Sequence, residues 1–349
     1  MRFLYALLLL VPITLALEWL DAADPVIFVV SALALVPLAA VLGRATEQVA
    51  IHTGPDVGAL LNATFGNAAE LIITIVALRE GLLNVVKASV AGSIIGNILI
   101  VAGASALFGG LKYGTQSFDP KTASTNAGLM GLAVVSLLIP AIFGFGNPSH
   151  RPSERDVQHL SVGVALALIL AYALYLLYTI RSNAPARAGA SSETDQEMGL
   201  PVALALLLVS TLAIVVMSEI LVGVIEPTAK AWGLTDLFVG VMLVPLVGNV
   251  AEHIVAVQAA LRNEMDLSLG IAVGSALQIA LFVAPVLVLV SHLVGDPLTL
   301  AFNQFELTAL IAGVFVGLIL STDGESNWLE GAELVILYAI VGIAFYFVP

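Results

Sequence analysis

The sequence predicts an all-α polytopic membrane protein of about eleven transmembrane helices, arranged as two inverted five-helix repeats plus one extra N-terminal helix. Three observations predict it: the composition, a succession of long apolar segments, and a motif that occurs twice. Of 349 residues, 60% are hydrophobic and 11% are charged, whereas soluble domains carry about a quarter charged residues. Mean hydropathy is +1.05. Lipid is therefore the solvent for most of the chain, and the unit of organisation is the spanning helix of roughly 20 apolar residues. Cysteine is absent, which excludes disulfides and thiolate metal ligation. The net charge of −13 excludes a nucleic-acid surface and suits a protein whose mouths attract cations.

Taken in order, the apolar segments fall at 3–20, 26–48, 58–80, 85–111, 123–145 and 156–181, then at 200–225, 235–261, 267–293, 303–320 and 329–347. The first follows Arg2 and has the look of a secretory signal. No small-x-small cleavage site precedes Glu18, so a retained helix is expected, making residues 1–24 the unpaired extra element. Gly and Thr positions in the second and fourth segments are expected to tilt or interrupt them. Residues 182–199 form a polar Ala/Ser/Gly-rich linker whose acids Glu193, Asp195 and Glu197 are read as solvation. It separates a first five-helix repeat, 25–181, from a second, 200–349.

The repeat is legible in the motifs. Residues 66–70 read GNAAE and residues 248–252 read GNVAE; the shift that carries Gly66 onto Gly248 also carries Gly92-Ser93 onto Gly274-Ser275. The motifs stand five segments apart, and an odd separation reverses the direction of crossing, so the halves are expected to be inverted copies. Proteins built this way place their substrate sites near the bilayer midplane at the repeat interface. Seven basic residues on the inner side against five on the outer favour a cytoplasmic N-terminus in the cell (inner) membrane.

Glu70 and Glu252 lie inside apolar helices, where an ionised carboxylate costs from about 2.5 to more than 10 kcal/mol. Residues kept there at that cost mark ion pathways. Positions i and i+3 share a helix face, so Asn67 accompanies Glu70 and Asn249 accompanies Glu252. Gly66 and Gly248 permit close approach or a helix break that frees carbonyl oxygens, and Pro245 removes a backbone donor in the second copy. An all-oxygen donor set without Cys or clustered His points to a hard cation. Calcium takes about six to eight oxygens and tolerates irregular geometry; two glutamates supply at most four, so amides, carbonyls and water complete the shell.

Several stretches resemble one family: ATE at 45–47, LLNATFGNAAELI at 60–72, GSIIGN at 92–97 and MSEILV at 217–222. VPLVGNVAEHIVAV at 244–257, GIAVGSALQIALFVAP at 270–285, FE at 305–306 and DGESNWLEG at 323–331 continue the match. From about residue 25 to the C-terminus the chain resembles the calcium/proton antiporters of the cation/proton exchanger family, within the calcium/cation antiporter superfamily. The resemblance implies that Glu70 and Glu252 bind calcium in alternation with protons, assisted by Asn67, Asn249 and nearby carbonyls. It implies no cofactor, only Ca2+ and H+ as cargo and the lipid bilayer as surroundings. The family's acidic helix between halves has no good counterpart in the short linker.

His253, about 100° round the helix from Glu252, is a candidate for proton coupling and equally for a structural role. Glu47, Glu219, Ser93, Asn97, Ser275 and Gln278 are candidates for the pathway or its gating. Glu306, Asp323, Glu325 and Glu330 read as rim. A sodium/calcium exchanger, or an antiporter for another divalent cation such as Mn2+, is the nearest rival; Ala68, Ala69, Val250 and Ala251 between the Asn and Glu positions lack the hydroxyl and acidic groups that sodium sites in that branch carry. An intramembrane hydrolase lacks HExxH and GxSxG motifs. A passive channel is the remaining option, and the sequence carries no signature of an oligomer.

Overall fold

Backbone in hydrocarbon must satisfy its own hydrogen bonds, which for these segments means helices. The computed structural model describes residues 6–146, 152–181, 198–320 and 323–348. The first half contains α1 (Leu10–Trp19), α2 (Asp24–Thr53), α3 (Pro55–Phe65), α4 (Ala68–Arg79), α5 (Leu83–Gly96), α6 (Ala102–Tyr113), α7 (Pro120–Phe145) and α8 (Glu154–Arg181). The second contains α9 (Leu200–Gly223), α10 (Ile225–Trp232), α11 (Asp236–Phe238), α12 (Val244–Ala260), α13 (Met265–Gln278), α14 (Ala284–Val294), α15 (Gln304–Leu320) and α16 (Trp328–Phe347). Three π turns, at Asn97–Val101, Val239–Leu243 and Ile279–Val283, join α5 to α6, α11 to α12 and α13 to α14. Among the described residues the strands are Gln116–Ser117 and Glu325–Ser326, paired antiparallel.

Among the described residues eight rods are long and apolar enough to cross a membrane, and Leu7–Trp19 and Gln304–Ile319 are shorter apolar helices. The segment expected at 58–80 is not one helix: it is broken at Gly66 and Asn67 into α3 and α4. The interruptions expected at Gly and Thr positions elsewhere do not occur. α2 runs unbroken for 30 residues through Pro37, and Thr46 returns its hydroxyl hydrogen to the Leu42 carbonyl at 2.9 Å instead of disturbing the helix. The fourth segment absorbs its irregularity in the π turn after Gly96, continuing as a single rod from Leu83 to Tyr113.

The repeat is visible in the backbone as well as in the motifs. α5 and α13 have the same length of 14 residues and start at 83 and 265, and their following π turns start at 97 and 279. Both displacements equal the one that separates the two motifs. α2 and α9 pack lengthwise against one another, α5 packs on the π turn 239–243, and α12 packs against α2, α4, α5 and α13. The innermost rod is α5–α6, 72% buried, whereas α8 and α9 are 22% buried. Leu166, Leu170 and Leu174 on α8, and Leu208, Val209 and Leu212 on α9, point outward as a lipid-facing surface. Most of the linker, 182–197, lies outside the described residues; just beyond it the Met198 N–H donates to the buried Gln48 Oε1 at 3.0 Å, tying the start of α9 to α2.

Candidate functional site

The first motif sits where its helix breaks. Gly66 is helical, but Asn67 has φ −107° and ψ 34° and stands at the N-cap of α4. Glu70 therefore occupies the first turn of α4, where the unpaired amides and the helix dipole favour negative charge. Its side chain is buried, with Oε1 lacking a hydrogen-bond partner. Asn67 is also buried and neither of its amide atoms is bonded. Gln278, from the second half, lies directly over Gly66: a Cβ there would stand 3.0 Å from Gln278 Oε1.

The second motif is held differently, and two expectations are corrected by it. Gly248 does not break a helix, because α12 runs through it from Val244 to Ala260. Its missing side chain makes room: a Cβ would lie 3.1 Å from Glu70 Cγ and 3.2 Å from Glu70 Oε1. Pro245 likewise does not end its helix: the rod Asp236–Ala260 passes through it, and the π turn Val239–Leu243 lies immediately before the position where its N–H is missing. Asn249 donates from Nδ2 to the Pro245 carbonyl at 2.9 Å and to Ser93 Oγ at 3.4 Å, leaving Oδ1 unpartnered. Glu252, half-buried in mid-helix, accepts a short hydrogen bond from Ser275 Oγ.

Side chains from both halves thus converge. The Glu70 carboxyl lies against the second motif's backbone at Gly248, about one helical turn before Glu252 on α12. Ser93 reaches Asn249 across the halves, while Ser275 reaches Glu252 within the second. Twelve buried side-chain polar atoms lack partners among the described residues, and six of them belong to Asn67, Glu70, Asn97 and Asn249. Buried polar groups are normally satisfied, so these unpartnered atoms of the two motifs and of Asn97 are candidates to meet a ligand. Four of the six are carboxyl or amide oxygens, the donor type that hard cations take. No group of three or more His, Cys, Asp and Glu side chains forms a metal cluster among the described residues. A cation here would depend on amide and backbone oxygens beside the two carboxylates.

Other candidates lie further out. His253 is half-buried beside Glu252 in sequence. Glu47 is exposed on α2, and Glu219 is exposed on α9, where it pairs with Arg79 of α4 at 3.5 Å. Glu306, expected at the rim, is instead 2% exposed. Its Oε2 accepts from the Asn303 N–H at 2.8 Å, and Asn303 Oδ1 accepts from the Glu306 N–H at 2.9 Å. This reciprocal cap has a readable signature, Asn-x-x-Glu ahead of an apolar run, and the same pairing recurs at Asn327 and Glu330. Nearby, Lys87 Nζ donates to Thr299 Oγ1 at 3.0 Å and to the Ala301 carbonyl at 3.1 Å.

Comparison with known proteins places this geometry. The sodium/calcium exchanger protein family matches residues 24–181 and 202–347, nearly the whole chain. A protein of Aphanothece halophytica named Ca(2+)/H(+) antiporter is 44% identical over 361 residues, covering 99% of this chain and 96% of its own length. Ca(2+)/H(+) antiporter ChaA of Bacillus subtilis is 41% identical over 344 residues, covering 96% of each chain. Among solved structures, native YfkE superposes with a TM-score of 0.86 at 38% identity, covering 99% of this chain and all of that one.

Proposed function

We propose, from the premise that this chain belongs to the sodium/calcium exchanger protein family, that it exchanges Ca2+ for H+ across the membrane by alternating access. Glu70 and Glu252 form the shared site, with Asn67 and Asn249 as amide ligands. The observation that carries this reading is the packing of the Glu70 carboxyl onto Gly248, about one helical turn before Glu252. A buried and a half-buried carboxylate inside membrane-spanning helices are costly to leave ionised and uncompensated. They accept compensating charge as a unit, either from a divalent cation or from protons. Since both cargoes need the same oxygens, one must leave before the other binds, and the empty charged site does not cross.

Calcium uptake into proteoliposomes under an imposed pH gradient tests this. Proton-driven uptake is expected in the parent and absent in Glu70→Gln and Glu252→Gln; uptake retained by both variants sinks the reading. Because protons compete for the carboxylates, half-saturation by calcium is expected to rise as the pH on the binding side is lowered. A sodium gradient is expected not to drive uptake, since only Ala68, Ala69, Val250 and Ala251 separate the motif's Asn and Glu positions. Manganese as competitor reports how narrowly the site reads its cation.

A further inference from the structure

The repeat allows each contact in one half to be sought at the corresponding positions of the other, under the shift that takes Gly66 to Gly248. At the entry to α12, Gly240 lies against α5: a Cβ there would stand 2.6 Å from Ala88 Cβ and 3.2 Å from the Val85 carbonyl oxygen. On α5 itself, a Cβ at Gly92 would strike the Val241 carbonyl oxygen and come within 2.8 Å of Pro245 Cγ. The two backbones interlock through these glycines, with no room for a side chain on either side.

The equivalent positions are Gly58 for Gly240, Gly274 for Gly92 and Gly270 for Ala88. There the interlock is unmade. Among the described residues a Cβ at Gly270 or Gly274 meets nothing within 4 Å, and Gly58 packs instead on its neighbour in α2, 3.0 Å from Ala50 Cβ. Glycine inside a helix is unfavourable relative to alanine, and neither Gly270 nor Gly274 makes a close contact in this state that requires it. Both seals flank the site: Gly92 precedes Ser93, which touches Asn249, and Gly274 precedes Ser275, which touches Glu252.

We propose that Gly270 and Gly274 are the empty half of a two-position lock, onto which α3 seats through Gly58, turning at Gly66 and Asn67, when the Gly92 and Gly240 interlock opens. Resting on the exchange reading above, this assigns one seal to each end of the site, and the transporter alternates by making one while breaking the other. Gly270 and Gly274 are positioning residues: they touch no cargo, but the side of the site they border closes only if their faces stay bare.

Side chains placed in that open space test the lock. Gly274→Val and Gly270→Leu are expected to fold with the parent's melting temperature and to bind 45Ca2+ as the parent does, while exchange falls by about tenfold or more because one state is blocked. Exchange at the parental rate in both overturns the proposal. The absence of native cysteine permits a second measurement, Gly58→Cys combined with Gly270→Cys. A disulfide requires Cα atoms within about 7 Å, so bond formation under mild oxidation reports the seated state. It is expected to form, to stop exchange, and to release it on reduction; failure to form under conditions that support turnover overturns the lock. Cross-linking reads the movement whatever ions are carried, so a failure of the calcium and proton assignment leaves this test standing.

Discussion

The two copies of the Gly-Asn-x-Ala-Glu motif differ by one residue and are held in different conformations. In the first, the helix stops at Phe65 and restarts at Ala68, so that Glu70 stands in the first turn of a new helix and Asn67 caps it with both amide atoms unbonded. In the second, one helix runs from Val244 to Ala260 through the motif, Asn249 is tied to Pro245 and Ser93, and Glu252 is held by Ser275. The difference follows the packing around each copy. The segment entering the second motif is interlocked with α5, whereas the segment entering the first leaves α13 bare. A duplicated sequence inside one chain therefore need not give duplicated local structure; under the proposed alternation the difference between copies would mark one state of the transporter.

The largest effect expected is also the one that treats the copies alike. Glu70→Gln and Glu252→Gln should each reduce proton-driven calcium uptake by about a hundredfold or more, because either change leaves the remaining carboxylate unable to match a divalent cation alone. If one variant retained substantial exchange, the copies would be unequal in chemistry as well as conformation.

Next in size are changes that separate the copies. Gly92→Ala, which drives a methyl into the Val241 carbonyl, should cost about 1–3 kcal/mol of stability through overpacking. Gly274→Ala has open space and should be neutral, or stabilising by about 0.5–1 kcal/mol through helix propensity. Thermal unfolding in detergent distinguishes them, and equal values would remove the asymmetry between the seals. Asn249→Ala should cost about 1 kcal/mol for the lost hydrogen bonds, while Asn67→Ala, whose amide bonds nothing within the protein, should cost less; both should weaken calcium binding. Ser275→Ala should have the smallest effect, a change of about threefold in calcium half-saturation, since it removes one donor from Glu252 and leaves both carboxylates in place. A pH profile of uptake that shifts in Ser275→Ala but not in Ser93→Ala would sharpen the same comparison.

How much of this is readable in the residues depends on which force sets each feature. The proposed pairing of Glu70 with Glu252 starts from the sequence, because carboxylates in apolar helices are costly and these two hold identical motif positions. Gly248 is legible as a special position with two consequences left open. A glycine in an apolar run is compatible with a helix break or with a close neighbour, and only the neighbour's identity, the Glu70 carboxyl, decides between them. Glu306 reads as rim by its place near a segment end, yet the Asn303 cap and the adjacent Lys87 allow it to be buried. The π turns have no sequence signature at all, since each differs from an α-helix by one residue in a hydrogen-bond ring.

By itself the sequence determined the solvent, the helical character of the apolar segments, the duplication at a constant spacing, and the acids set against the hydrocarbon, because each is a one-dimensional consequence of hydropathy, backbone hydrogen bonding and charge. Only the tertiary structure decided which copy of the motif is broken, which glycine faces are closed and which are bare. Those outcomes rest on contacts between segments far apart in the chain, as Gly92 with Val241 and Gly248 with Glu70, and two arrangements of equal local propensity are separated only by which surfaces have met.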